Sequence, residues 1–335
     1  MFIDVHGHLS PPGERAGGGP PALRDPAAMV ARKAELGVEL TVIGSPVGAG
    51  TMLPRPDVDN YTQSADQVRA HNELMGELVD RFPHALRTYA YVDPFGGERM
   101  LDQARQLLAD WPFVGLVVNT SINGEYLDSD RAHDFFAMAA ELRCPVLLHP
   151  PACPVGAGSF GDFGMVEHVG RFNDVTAGVA AIVSAGWLDR FPDLVLIAAA
   201  GGGAAALLGE KLDLAAQRPG PGGPPDAERT AGRTAGRPAP SRALARMYVD
   251  TACPNPHSLA ANVAVFGADH VLFGTDAPPL MAALEPTVGM VRDADLTHEQ
   301  REQVAWRNAV RLFGLDDVVS ARTGSAAGAG EPSGE

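Results

Sequence analysis

Short apolar runs rich in β-branched residues recur along the chain, and each is followed by a longer stretch whose apolar positions return every three to four residues. The runs Phe2 to His6, Glu39 to Gly44, Leu86 to Val92, Phe113 to Asn119, Pro145 to His149, Leu194 to Ala200, Met247 to Thr251 and Val271 to Thr275 predict strands. Helices are predicted near Pro26 to Leu36, Asn60 to Arg81, Glu98 to Asp110, Asp130 to Leu142, Asn173 to Arg190, Ala204 to Ala216, Ser258 to Phe266 and Thr297 to Phe313. Strands that alternate with helices imply a parallel sheet, because parallel neighbours need a crossover. Eight such units predict a single-domain α/β fold, the (β/α)8 TIM barrel, over residues 1–318. A doubly wound open sheet is the competing topology.

Two segments break the pattern. Pro219 to Ser241 is rich in Pro, Gly and Arg and carries the doublet Arg229-Thr-Ala-Gly-Arg-Thr-Ala-Gly236, so it is expected to be a flexible insertion between the sixth helix and the seventh strand. The tail at 321–335 consists largely of Gly, Ala, Ser and Glu without periodicity, and disorder is expected there.

Composition narrows the partners. At 335 residues and 45% apolar content, the chain is long enough for one barrel of about 250 residues. A formal charge of −15 without any Lys/Arg-rich run argues against nucleic acid and anionic lipid, and favours a small-molecule substrate. No apolar run approaches the roughly 20 residues that span a bilayer, and the first residues lack the features of a signal peptide. Three scattered cysteines, Cys144, Cys153 and Cys253, fit a reducing, cytoplasmic setting better than a disulfide framework. A homodimer is compatible with all of this.

The chemistry sits at strand ends. In His6-Gly7-His8, the two-residue period of a strand places both imidazoles on one side of the backbone. The fifth predicted strand ends in His149, and Asp276 stands just past the eighth. A barrel gathers all strand C-termini on one face, where His6, His8, His149 and Asp276 can meet around one divalent ion. Three imidazoles and a carboxylate suit Zn²⁺ foremost, with Mn²⁺, Fe²⁺ or Co²⁺ as alternatives. Asn119 ends the fourth strand on the same rim, either to hydrogen-bond a substrate or to cap its turn. Cys153 follows the fifth strand and is counted with the substrate-lining positions. Neither Cys153 nor Cys253 shows the base that a thiol nucleophile needs. Cys144 precedes its strand and belongs to the core.

These residues resemble the amidohydrolase superfamily, within it the aminocarboxymuconate-semialdehyde decarboxylase branch with its decarboxylase and hydratase relatives. The resemblance runs from Phe2 to about Leu315. It rests on Asp4-Val-His-Gly-His8, Asn119 with Asn123-Gly-Glu-Tyr-Leu-Asp128, Leu148-His149-Pro150, Ala200-Gly-Gly-Gly203, Tyr248-Val-Asp-Thr251 and Leu272-Phe-Gly-Thr-Asp276. It implies that His6, His8, His149 and Asp276 bind one divalent metal. It also exposes a departure, because the family's sixth strand usually ends in His-Gly-Gly-Gly and that His activates water or polarises substrate. This chain has Ala200 there, and no His occurs between His168 and His257.

The missing base must be reassigned or dispensed with, since general-base catalysis is worth about 10² to 10⁴ in rate. Asp276 is the first choice, able to bind metal through one oxygen and accept a proton through the other. His257, in Cys253-Pro-Asn-Pro-His257 after the seventh strand, is the second, its alternative being a surface histidine. The expected function is a metal-dependent C–C lyase, decarboxylase- or hydratase-like, acting on a small carboxylate-bearing or phenolic substrate. A metal-dependent hydrolase, a remodelled cyclase with Ala200 making room for bulk, and a non-catalytic binding protein are the alternatives.

Overall fold

The computed structural model describes residues 1–13, 20–45, 63–109, 113–161, 164–217 and 238–316. Eight parallel strands lie in the order β1 (Phe2–His8), β2 (Val38–Gly44), β3 (Leu86–Tyr91), β4 (Phe113–Asn119), β7 (Pro145–His149), β8 (Val195–Ala198), β9 (Tyr248–Asp250) and β10 (Val271–Leu272). A two-stranded hairpin, β5 (Ser121–Ile122) and β6 (Glu125–Tyr126), follows β4. The last strand returns to the first. Val5 N–H donates to the Phe273 carbonyl at 2.9 Å, Asp276 N–H donates to the His6 carbonyl at 2.7 Å, and Gly7 bridges Ala277 in parallel. The expected (β/α)8 barrel is therefore the observed fold.

The barrel strands are buried over most of their length, as a sheet covered by helices on its outer face requires. The helices begin where side chains can satisfy their first N–H groups. Asp25 accepts from Ala28 N–H ahead of Pro26, Ser64 forms a capping box with Gln67, and Thr297 forms one with Gln300.

Helix boundaries moved where local signals outweighed periodicity. The helix expected from Asn60 starts at Ala65, after the Ser64 cap, and positions 60–62 lie outside the described residues. The helix expected over Asn173 to Arg190 is instead a π turn at Val166–Gly170, a helix at Arg171–Ala185 and a second at Trp187–Arg190, because Gly186 adopts a left-handed φ of 80°. The helix Met281–Arg292 and the β5–β6 hairpin were not anticipated. The excursion from Pro219 lies outside the described residues as far as position 237, and so does the tail at 321–335. Its last residues are ordered: Pro240–Leu244 is a helix, and Ser241 donates from N–H and Oγ to Asp213 at 2.8 and 2.7 Å. Among the described residues, no helix is long and apolar enough to cross a membrane.

Candidate metal centre

His6 and His8 leave the end of β1, His149 ends β7, and Asp276 follows β10 across the barrel closure. One ligand atom from each of the four lies within 4.8 Å of every other. The three imidazoles are buried and stand edge to face, with ring centroids 5.0 to 5.1 Å apart.

Neighbouring acceptors settle which ring nitrogen faces inward. His6 Nδ1–H donates to Asp250 Oδ2 at 2.6 Å and His149 Nδ1–H to the Pro150 carbonyl at 2.9 Å, so both rings turn Nε2 toward the centre. His149 Nε2 is buried without a hydrogen-bond partner. His6 Nε2 and His8 Nε2 face one another at 3.2 Å, and Asp276 Oδ1 stands 2.9 Å from His8 Nε2 and 3.6 Å from His6 Nε2. Donor atoms that converge at this range need a proton or a cation between them. Donors about 2.0–2.1 Å from an ion at tetrahedral angles lie roughly 3.3 Å apart, which these separations bracket. The set of three nitrogens and one carboxylate oxygen fits a single divalent metal.

The electrostatics agree with a site built around positive charge. Burial works against the charge on His6, yet the carboxylates of Asp276 and Asp250 hold its pKa up at about 9. Burial also works against the Asp276 charge, but His6, His8 and His149 hold that carboxyl down at about 2. Burial pushes His149 well below the usual histidine range, reinforced by the positive charges of His8, His6 and Arg171.

Glycines let these groups approach. A Cβ at Gly7 would collide with Thr41 and stand 3.0 Å from Lys33 Nζ, and one at Gly274 would lie 2.9 Å from Asp250 Cβ and 3.0 Å from His6 Cβ. Beneath the imidazoles, Asp4 Oδ1 accepts from the N–H groups of His6 and Thr275 at 2.9 and 3.1 Å. Its Oδ2 accepts from Lys33 Nζ and Thr275 Oγ1, both at 2.6 Å. Asp276 itself adopts a left-handed φ of 55°, a conformation its N–H bond to His6 helps to hold.

The remaining sequence candidates lie at varied distances from this centre. Asn119 is buried and paired in register with His149 on the adjacent strand. Ala200 is half-buried with a left-handed φ of 51°, and Gly201, Gly202 and Gly203 continue at 65°, 75° and 61°. The three glycines are explained by that turn: a Cβ at Gly202 would meet Val249 Cγ1 at 2.9 Å, and one at Gly203 the Phe172 carbonyl at 2.8 Å. Cys153 is exposed, and His257 is exposed at the start of helix Pro256–Phe266, outside the four-donor cluster. Cys144 is buried, and burial pushes its thiol up to about 12.

Two residues behind the ligands were not singled out in the sequence. Asp250, whose carboxylate orients His6, is signalled by its place at the end of an apolar strand. Lys33, buried beside Asp4, is signalled by its position four residues after Met29 on the inner stripe of helix Pro26–Glu35.

A family model described as Amidohydrolase matches residues 3–315. The chain belongs to the amidohydrolase family. Over 180 residues it is 26% identical to 2-amino-3-carboxymuconate-6-semialdehyde decarboxylase of Caenorhabditis elegans, covering 53% of this amidohydrolase chain and 42% of that protein. It thus spans less than half the length of that curated relative. Among solved structures it resembles 5-carboxyvanillate decarboxylase LigW from Sphingomonas paucimobilis, with a TM-score of 0.76 at 20% identity over 93% of this chain and 98% of that one. It also resembles a dihydroxybenzoic acid decarboxylase from Polaromonas sp. JS666 bearing manganese and 2-nitroresorcinol, with a TM-score of 0.76 at 18% identity over 94% and 97% of the two chains. At these identities the structural likeness establishes the shared barrel.

Proposed function

We propose that this amidohydrolase-family chain is a metal-dependent C–C lyase that decarboxylates a small phenolic carboxylate. The observation that carries the proposal is a four-donor centre in a chain whose turn after the sixth barrel strand opens on Ala200 and supplies no imidazole. Hydrolysis calls for a base to activate water. Decarboxylation asks only that an anion be held and a proton delivered. The similarity to proteins named as decarboxylases points the same way.

His6, His8, His149 and Asp276 would hold the metal, with Zn²⁺ the preferred ion and Mn²⁺ the first alternative. When bound, the cation supplies positive charge and Lewis acidity to an anionic substrate. Asp250 and the Pro150 carbonyl keep His6 and His149 in the tautomers that leave Nε2 free. Asn119, in register with His149 on the adjacent strand, is our candidate to donate its amide to a substrate oxygen. Asp276 would take the proton of the substrate's phenolic hydroxyl and deliver it to the ring carbon as the bond to the carboxylate carbon breaks. The electron pair of that bond forms the new C–H bond, and carbon dioxide leaves. In this reading the small side chain of Ala200 makes room for the substrate ring at the position where the resemblance would put an imidazole.

The test is to incubate the Zn²⁺- and Mn²⁺-loaded protein with a panel of hydroxybenzoates and carboxyvanillates and to measure released carbon dioxide and the decarboxylated phenol. Ala200→His should keep the metal and lose most of that turnover, because the imidazole refills the space. Unchanged turnover in Ala200→His on the best substrate, or ester or amide hydrolysis in place of carbon dioxide release, would refute the proposal.

A further inference from the structure

Although Ala200 carries no functional group, the turn it opens is clamped to the metal centre through its backbone. Gly201 N–H donates to Asp250 Oδ1 at 2.7 Å, while the other oxygen of the same carboxylate accepts from His6 Nδ1–H at 2.6 Å. The Gly201 carbonyl in turn accepts from Asn262 Nδ2 at 2.9 Å. Asp250 is wholly buried and Asn262 is 4% exposed, so none of these bonds competes with bulk water. The space behind Gly201, bordered by Cys253, Ser258, Leu259 and Met290, is too tight to admit a water molecule that could replace the amide. A Cβ on Gly201 would stand 3.3 Å from Cys253 Cβ and 3.4 Å from Asn262 Nδ2 on a backbone with a φ of 65°, so a side chain at that point is strained.

We infer that Asn262, on helix Pro256–Phe266, is a positioning residue for the metal centre, acting through the chain Asn262, Gly201, Asp250 and His6. The inference rests on the metal-centre reading above. It explains why the glycine turn persists without its imidazole: the sixth strand serves the site by fixing a carboxylate that orients His6. Ala252 N–H, at 3.0 Å, is the remaining donor to Asp250 Oδ1, and it lies on the same strand-end loop as Asp250 itself. Gly201 is therefore the contact that brings a different strand's geometry to bear on the carboxylate.

The experiment is a Zn²⁺ competition titration against a chromophoric chelator, using the full chain. Asp250→Asn should weaken Zn²⁺ binding about 10- to 100-fold, as loss of a ligand's orienting partner does, and Asn262→Leu about 10-fold. In the double variant the loss should not exceed that of Asp250→Asn alone, because both act on one path. Phe266→Leu, at the far end of the same helix and outside that lining, should lower the melting temperature and leave Zn²⁺ affinity unchanged, separating helix stability from positioning. Should Asn262→Leu not fold, Asn262→Asp keeps the shape and removes the donor. Wild-type Zn²⁺ affinity in the Asn262 variant, or a loss that adds in full to that of Asp250→Asn, overturns the inference while the metal centre stands. A wild-type chain that binds no Zn²⁺ overturns both.

Discussion

The mouth of this barrel has two unlike halves. Where β9, β10 and β1 meet, three carboxylates stand together: Asp4 and Asp250 are wholly buried and taken up by donors, and Asp276 faces the imidazoles. Across the mouth, β4, β7 and β8 contribute an amide, an imidazole and a methyl group from Asn119, His149 and Ala200. The buried carboxylate on that side, Asp174, serves loops, accepting from Thr120 Oγ1, Ser121 Oγ and Val155 N–H. The difference has a structural origin. β10 is only two residues long, so the closing seam has few ladder bonds, and Asp4 links β1 to Thr275 through its side chain instead. The groups that close the barrel thereby also aim His6 and Asp276, and the opposite half is left free to shape the substrate space.

The sharpest way to break this division is at Asp276. Asp276→Asn should lower turnover about 10²- to 10⁴-fold even with excess Zn²⁺, because an amide cannot accept the proton. Asn119→Ala, on the opposite half, should raise KM with a smaller change in kcat. If the two variants lose turnover equally, the halves do not divide proton transfer from substrate placement.

Stability should be uneven in the same sense. Lys33→Met strands the Asp4 carboxylate in the interior and should cost about 3–5 kcal/mol, read by denaturant unfolding, and adding Asp4→Asn should recover part of it. Asp174→Asn gives up charge-assisted bonds to loops and should cost about 1–3 kcal/mol. A reversed order would place the framework on the wrong side.

The seam should also make the protein sensitive to pH once metal is removed. His6 is held at about 9 in the fold, against 6.5 for an ordinary histidine, since the carboxylates of Asp276 and Asp250 outweigh burial. Its stabilisation is complete below pH 6.5 and is lost as pH rises toward 9, at up to ~1.4 kcal/mol per pH unit. Asp276, held at about 2 against 3.8, stabilises above pH 3.8 and loses that contribution as pH falls toward 2. A metal must displace the His6 proton, so Zn²⁺ affinity should rise about ten-fold per pH unit over the interval in which metal-free stability falls. Melting curves of chelated protein between pH 6.5 and 9 check the sign. A flat melting temperature there would show that the seam does not protonate His6.

Much of this was written in the chain. The eight strands and the clustering of His6, His8, His149 and Asp276 were legible because a parallel barrel reads as repeated apolar runs and presents its chemistry at strand ends. What escaped were contacts made across sequence distance. Asp250 and Lys33 stand at positions the sequence marks, a strand end and a helix's inner stripe, but their role depends on Gly274 and Gly7 allowing the close approach around His6. The helix Met281–Arg292 was missed because Pro286 inside it argues locally against a helix that tertiary packing nonetheless supports. The β5–β6 hairpin escaped because its strands are two residues each, too short for an alternation to register.

The smallest expected effect tests whether the far half is free of strain imposed by the seam. Ala200 sits at a φ of 51°, where an L-residue with a Cβ is about 1–2 kcal/mol worse off than in the right-handed region. Glycine escapes that cost but loses more backbone entropy on folding, roughly 0.5–1 kcal/mol relative to alanine. Ala200→Gly should therefore leave stability unchanged or raise it by up to about 1.5 kcal/mol, a rise of at most a few degrees in melting temperature. Its Gly201 N–H bond to Asp250 should survive, so Zn²⁺ affinity should not change. If Ala200→Gly instead destabilises the chain or weakens Zn²⁺ binding, the alanine methyl is itself packed in support of the turn, and the two halves of the mouth are coupled through that side chain.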